Sequence, residues 1–169
     1  ERLLDYCGED PSKIFLFFDI LPSDTATVDF VKKYFQSFSD EAKREDYRWG
    51  QLKRWLTYKS DLFADELAKK AETVGDKDEY VTNQDELLAL AAVNWDRALP
   101  FLERLVNDKA QPVSSTLAKW AYYARAIREN DENDVTKYRR LLQDVVENRE
   151  MPPGARDLAL DALVKEPEW

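Results

Sequence analysis

The fold of this chain is decided by the stretch LERLVND at residues 102–108, because a second copy, LQDVVEN, follows at residues 142–148. The copies lie 40 residues apart, and each leads through a short polar stretch to a proline, Pro112 or Pro152. An alanine-rich amphipathic stretch follows each proline. A fixed period of this kind, with two helical patterns and a proline-marked turn, is typical of stacked helical repeats. We therefore predict an all-α fold, a right-handed α-α superhelix (solenoid) of antiparallel helix pairs, with no sheet.

Helix signals extend outward from these two copies through the whole chain. Caps, prolines and apolar spacings of three or four predict helices at 10–21, after Ser23–Asp24, after Ser39, from Ser60 to Gly75, at 85–93, after Asn94 or Asp96, and at 113–129, 134–148 and 155–165. Residues 75–84 are the longest polar stretch and are predicted to form a loop. The same spacing predicts that Leu105 and Val145 are buried between the helices of each pair, and that Trp120 and Tyr123 join the core.

The length of 169 residues suits one domain or about four repeat units of this period. We predict a single helical-repeat domain over residues 1–169, with its clearest repeats at 95–130 and 134–165. The chain begins with Glu1 rather than Met, and its last predicted helix is apolar on more than one face. We therefore expect the sequence to be a fragment of a longer protein that continues past Trp169.

The segment from Leu99 to Asp108, followed by Pro112-Val113 and an alanine-rich second helix, resembles a repeat of the HEAT-like, armadillo-type helical family. The copy from 141 to 163 looks similar, so the resemblance covers roughly residues 95–165. The second helices carry the matching small and apolar positions, which are Leu117, Ala118, Ala121, Ala124, Ala155, Leu158, Ala159 and Ala162. The family's usual Arg at the start of the second helix is absent from the first copy, where Ser114 and Ser115 stand, and Arg156 takes its place in the second.

The resemblance implies a non-catalytic protein-interaction or scaffold domain, with a concave surface lined mainly by the second helix of each pair. The alternative is a HEAT-like nucleic-acid-processing enzyme, similar to the DNA glycosylases of this family. That alternative needs a basic concave face, and the net charge of −9 and the acidic residues in 131–134 argue against it. A lyase or cofactor-attaching role, known for some HEAT-like proteins, has no motif here.

Composition limits the remaining classes of function. With 34 acidic and 25 basic residues, the chain is not expected to coat a phosphate backbone, so the expected partner is a protein or peptide. No apolar run approaches 18 residues, so no membrane-spanning helix is expected. A single cysteine, Cys7, excludes an intramolecular disulfide and is compatible with a reducing compartment, which favours the cytoplasm. The oligomeric state is left open.

The residue inventory weighs against an enzyme. The chain has no histidine, which removes Ser-His-Asp and Cys-His catalysis and every histidine-bearing metal site. Its four scattered glycines cannot form a phosphate-binding loop. Paired carboxylates such as Asp65-Glu66 and Asp85-Glu86 are interpreted as helix caps or solvated faces. We therefore predict no catalytic residue, no cofactor and no metal site.

One segment is both basic and aromatic, in a chain that is otherwise acidic. It lies in residues 47–59, and its candidate partner-binding residues are Arg48, Trp49, Lys53, Arg54 and Tyr58. Interleaved aromatic and cationic side chains can bind an acidic protein partner or stack on bases. The alternative is an amphipathic helix that buries its apolar side chains and exposes its charges. The sequence leaves all three interpretations open.

Overall fold

The computed structural model describes residues 24–37, 39, 48–77 and 80–165. Its contacts group the chain into two compact units, residues 1–63 and 64–169, and the single repeat domain over 1–169 stays a prediction. The predicted helix at 10–21 and the cysteine Cys7 lie outside the described residues.

In its described residues the first unit contains two helices, α1 (Thr25–Gln36) and α2 (Arg48–Lys59), followed by a 3-10 turn at Asp61–Phe63. Asp24 caps α1 as predicted, because its carboxylate accepts hydrogen bonds from the Thr27 backbone N–H at 3.0 Å and from the Thr27 hydroxyl at 2.8 Å. These two bonds lower the pKa of Asp24. The cap therefore fixes where α1 begins.

The core of the first unit is largely aromatic. Its buried residues lie on one face of α1 and one face of α2: Val31, Tyr34, Phe35, Trp49, Leu52 and Leu56. Phe35 meets Phe63 edge to face, with 5.6 Å between the ring centroids. Large rings at helical spacing thus hold the two helices and the 3-10 turn together.

The second unit holds the remaining helices, and the all-α class predicted from the sequence is confirmed for the described residues. The helices are α3 (Ala64–Ala71), α4 (Gln84–Val93), α5 (Trp95–Val106), α6 (Pro112–Glu129), α7 (Glu132–Glu147) and α8 (Pro153–Val164). Asn94 caps α5 by accepting from the Arg97 N–H at 3.2 Å. Asp131 caps α7 by accepting from the backbone N–H groups of Asn133 and Asp134, each at 3.1 Å.

The prediction of no sheet, with a loop over 75–84, is wrong. The structure has a short antiparallel hairpin of β1 (Gly75–Lys77) and β2 (Tyr80–Thr82), in which Asp76 pairs with Val81. Tyr, Val and Thr favour strands, and β2 consists of these three residues. The charged residues at 76–79 are typical of a polar loop, and in the prediction they outweighed the strand-favouring residues of β2.

The helices of the second unit contact both their neighbours along the chain and helices two positions away. Helices that follow each other along the chain are in contact from α3 to α8, and α6 also packs against α4 and against α8. Leu102, Leu117 and Leu142, one from each of three successive helices, have no exposed surface. α6 therefore lies at the centre of this unit.

The two sequence copies occupy equivalent places in this packing. Leu105 is fully buried and Val145 is 6% exposed, so the predicted burial of both residues is confirmed. Tyr123 is buried as predicted, whereas Trp120 is only partly buried and packs against the cluster that contains Val145.

The turns after the two copies use the same hydrogen bond. In the first turn the Asp108 carboxylate accepts from the Ala110 N–H at 2.9 Å, and in the second the Asn148 side-chain carbonyl accepts from the Glu150 N–H at 2.9 Å. Asp and Asn side chains stabilise turns by this local bond. The repeated polar position therefore has the same structural role in each copy.

In each copy a side chain near the start of the second helix bonds the end of the preceding helix. The Arg156 Nε donates to the Val146 carbonyl at 3.2 Å, which joins α8 to the end of α7. In the first copy the Ser115 hydroxyl donates to the Val106 carbonyl at 2.8 Å, which joins α6 to the end of α5. Ser115, one residue before the place that corresponds to Arg156 in the 40-residue period, thus bonds the equivalent carbonyl near the end of the preceding helix.

Candidate binding surfaces

The described part of the basic aromatic segment, residues 48–59, forms α2 in the first unit. Arg48 is the first residue of this helix. Trp49 is only 7% exposed and stacks on Tyr34, with 5.5 Å between the ring centroids. It also meets Phe35 edge to face at 5.9 Å. The structure thus gives Trp49 a packing role in the core.

The other predicted residues of α2 lie nearer the surface. Arg54 is exposed, and Lys53 and Tyr58 are half-buried. The Lys53 ammonium lies 5.0 Å from the centre of the Phe63 ring, which is a cation–π distance. The structure therefore brings Lys53 against the aromatic core and leaves Arg54 towards solvent. The partner-binding role of this segment stays a prediction.

A second surface, which the sequence analysis missed, is a shallow groove between α4 and α6. It is a shallow, open depression with a volume of about 10 Å³, which is room for no more than one water molecule. Its lining consists of small side chains, one aromatic ring and two cations: Ala91, Ala92, Trp95, Ala121, Ala124, Arg125 and Arg128. The α6 members follow the spacing of one helix face. This spacing was visible in the sequence, but the packing of α6 against α4 was not.

Both arginines of the groove are held by specific contacts. The Arg125 guanidinium carbon lies 4.3 Å from the centre of the Trp95 ring, and its Nε donates to the Glu129 carboxylate at 2.8 Å. The Arg128 Nη1 donates to the Ala92 carbonyl at 3.1 Å, in the last turn of α4. Carbonyls there lack a partner within the helix, so a cation is favoured. These contacts restrict the two guanidinium groups to the rim.

A row of aromatic rings supports this rim. Trp95 meets Tyr122 edge to face at 5.2 Å, and Tyr122 stacks on Tyr138 at 4.9 Å with nearly parallel rings. The Lys137 ammonium lies 4.5 Å from the centre of the Tyr138 ring. Burial, followed by the influence of Tyr138, raises the pKa of Tyr122. The row joins the beginning of α5 to α6 and α7, so the groove is built on a packed support.

The first turn of α6 is capped by a residue far away in the sequence. The Asp76 carboxylate in β1 accepts hydrogen bonds from the backbone N–H of Val113 at 3.0 Å and of Ser114 at 2.8 Å, and from the Ser114 hydroxyl. Gln111, which precedes α6, makes no side-chain cap bond to this helix, and its side-chain carbonyl accepts from the Asp76 N–H at 3.3 Å. Asp76 thus supplies the acceptor and the negative charge that the start of a helix favours.

Ser115 and Lys119 are the pair whose composition comes nearest to a catalytic dyad in the described part of the chain. The Lys119 ammonium donates to the Ser115 oxygen at 2.9 Å, and burial lowers the pKa of Lys119. A nucleophilic serine must give its proton to a base and reach a substrate. Ser115 instead donates its proton to Val106 and is only 4% exposed. The geometry therefore fits a structural role.

The lowered pKa of Lys119 predicts a specific pH dependence. The unfolded chain binds the Lys119 ammonium proton more tightly than the folded chain does. The destabilisation of the folded state by this buried charge therefore decreases as pH rises through the folded pKa towards the ordinary value of 10.5. In urea unfolding, the stability of Lys119→Met relative to wild type should be highest at pH 7 and should decrease towards pH 10. The exposed Lys109→Met is the control. A Lys119→Met difference that is constant with pH would contradict this prediction.

Two further observations concern sites and membranes. No group of three or more acidic, histidine or cysteine side chains that could hold a metal ion occurs among the described residues. Of the helices in the described ranges, none combines the length and the apolar character needed to cross a bilayer.

Comparisons with protein-family models, with curated proteins and with solved structures found no match for this chain.

Proposed function

We infer that this chain is a non-catalytic protein-interaction domain, in which HEAT-like helix pairs stack into a solenoid. The pairs would be α3 with α4, α5 with α6, and α7 with α8. Five residues connect α5 to α6, and another five connect α7 to α8. Helices joined by turns this short typically run in opposite directions and pack along their length. The equivalent turn bonds at Asp108 and Asn148 support a repeated unit.

The observation that carries the interaction function is the contact of α6 with both α4 and α8. These are the second helices of the three pairs, and their packing would form one continuous layer. A layer of this kind presents an extended surface rather than a closed catalytic pocket, and repeat proteins use it to bind protein segments. The open groove between α4 and α6 lies on that layer.

A display library of random 12-residue peptides, panned on the full chain, tests this proposal. We expect enriched peptides that bind the purified protein with micromolar dissociation constants and compete with one another. A helical protein of similar charge serves as the control bait, and peptides that bind both are discarded. If no peptide remains after this subtraction, the protein-interaction function is wrong.

The basic segment on α2 gives a separate prediction for the same peptides. If acidic partners bind there, Arg48→Glu/Arg54→Glu should weaken their binding, and raising the salt from about 0.05 M to about 0.5 M should do the same to wild type, because salt screens exposed charges. Fluorescence anisotropy measures both effects, with an unchanged melting temperature as the control. A folded double variant that retains the affinity for every selected peptide would leave α2 as a solvated helix face.

A further inference from the structure

We propose that the exposed face of α8 binds an amphipathic helix of a partner protein, with aliphatic side chains of that helix against Leu160 and Val164. Lysine or arginine side chains of the same helix pair with Asp157 and Asp161. This inference rests on the proposed interaction function and names the chemistry of the partner. It concerns the second unit alone and is independent of the basic segment on α2.

Two large apolar side chains of α8 are open to solvent. Leu160 is 50% exposed, and Val164, at 72%, is the most exposed large apolar side chain among the described residues. The two residues are one helical turn apart, so they lie on the same face of α8. A single exposed leucine is ordinary, whereas two apolar side chains on one face form a ridge that fits between the side chains of another helix.

The helix that corresponds to α8 in the first copy is α6, and its equivalent face is covered. Both helices begin with a proline, and the fourth residue of each, Ser115 or Arg156, bonds the end of the preceding helix. Counted from these prolines, the exposed residues Asp157, Leu160, Asp161 and Val164 correspond to Thr116, Lys119, Trp120 and Tyr123. These four residues of α6 are buried or half-buried. The same face is therefore closed on α6 and open on α8.

On α6 this face meets α7. Tyr123 belongs to a buried cluster with Tyr138, Leu142 and Val145, which follow the spacing of one face of α7. Arg139 of α7 donates hydrogen bonds to the Tyr123 hydroxyl through Nε and Nη2, each at 3.2 Å. α7 thus brings an apolar stripe and a cation to α6. This packing indicates the kind of helix that fits the open face of α8.

The charge of the α8 face selects the sign of the partner. Asp157 and Asp161 lie on either side of Leu160 along the helix, and both are exposed. Asp161 pairs with Lys165 at 2.7 Å, but both side chains are more than half exposed, so water screens this pair. The chain carries a net charge of −9, which also favours a basic partner. Lysine and arginine suit the face, because their aliphatic stems cover apolar groups while their charged ends reach a carboxylate.

The opposite face of α8 is fixed, which reduces the cost of binding. Ala155 and Ala159 have no exposed surface, and Ala162 is 1% exposed. These alanines belong to the buried cluster that joins α8 to α6 and α7. A helix that is ordered before its partner arrives loses less conformational entropy on binding.

A display library of helical peptides, panned on the full chain, tests this inference. Its members are about 18 residues long, because shorter helices are marginal in water, and they are randomised along one face. We expect selected peptides to carry aliphatic residues three or four positions apart and more Lys and Arg than Asp and Glu. When such a peptide is added to wild type, the backbone amide signals of Asp157, Leu160, Asp161 and Val164 should shift in NMR spectra.

Two double variants separate the apolar contact from the charged one, with fluorescence anisotropy as the measurement. Leu160→Ala/Val164→Ala keeps both carboxylates and should weaken binding about tenfold, because it removes apolar groups that the partner would bury. Asp157→Asn/Asp161→Asn keeps the apolar pair. It should weaken binding about threefold at low salt and make the affinity less dependent on salt.

The controls make the same chemical changes outside this face. Ile127→Ala alters an aliphatic side chain near the end of α6 that is 36% exposed, and Asp144→Asn alters an exposed carboxylate on α7. Both should leave the affinity unchanged. An unchanged melting temperature shows that a variant is folded, and the amide shifts of wild type decide the question if a variant is not.

The outcomes separate this inference from the proposed function. Peptides that shift amides only outside α8, or that bind both double variants as tightly as wild type, would overturn the α8 assignment and leave the interaction function standing. An empty helical pool beside a productive pool of random peptides would have the same meaning, whereas two empty pools would overturn both. Self-association of wild type that Leu160→Ala/Val164→Ala abolishes in sedimentation velocity would make a second copy the occupant and overturn the partner assignment.

Discussion

Leu105→Ala should lower the free energy of unfolding of the second unit by about 2–4 kcal/mol, the cost typical of removing a fully buried leucine side chain. Leu105 has no exposed surface and lies on α5, which packs against α4 and α6. The side chain cannot be replaced by neighbouring atoms without moving α5, so a cavity remains. Urea unfolding followed by circular dichroism at 222 nm measures the loss.

Leu160→Ala provides a matched control, because it makes the same chemical change on α8 at a side chain that is 50% exposed. We expect this control to change stability by less than about 0.5 kcal/mol. Val145→Ala, at the equivalent position of the second copy, should destabilise in the same direction as Leu105→Ala. Losses below about 0.5 kcal/mol for both Leu105→Ala and Val145→Ala would show that the repeat register is wrong.

Asp76→Ala should lower the free energy of unfolding by about 2–3 kcal/mol, because it removes a charged cap from the longest described helix. Two backbone N–H groups and the Ser114 hydroxyl would lose their acceptor. Asp76→Asn retains one carbonyl oxygen and should lose less. Thermal and urea unfolding of both variants measure the difference.

The control for Asp76 is Asp144→Ala on α7, which removes an exposed carboxylate with no side-chain hydrogen bond among the described residues. Its effect on stability should stay within about 0.5 kcal/mol. An Asp76→Ala variant as stable as the Asp144→Ala variant would mean that water satisfies the start of α6 as well as the carboxylate does.

The parts of the fold that were predicted correctly depend on local signals. The sequence placed helix starts at Asn94 and after the polar turn before α7. Both starts are observed, because the side chains of Asn94 and Asp131 accept hydrogen bonds from N–H groups of the first turn. Apolar spacing identified the buried face that carries Leu105 and Val145. Each signal involves residues within about one helical turn, and these interactions are readable from a single sequence.

The parts that were missed depend on contacts between distant residues. The carboxylate of Asp76 meets Val113 and Ser114, which lie 37 and 38 residues further along the chain. The groove requires Ala91 and Ala121 to lie on facing helices. Periodicity shows which face of a helix is apolar, but it does not show which partner covers that face. Trp49 illustrates the same limit, because its spacing suited either a buried or an exposed ring.

The cap from Asp76 has a consequence for how this protein can be divided. The sequence suggests an interchangeable module that begins near residue 95, yet the acceptor for the first turn of α6 belongs to the hairpin before it. A segment transplanted from residue 95 onwards would leave behind the group that its own longest helix requires. The shortest segment that keeps this cap therefore begins at or before Gly75. Recombination or protein engineering would have to exchange the hairpin and the helix together.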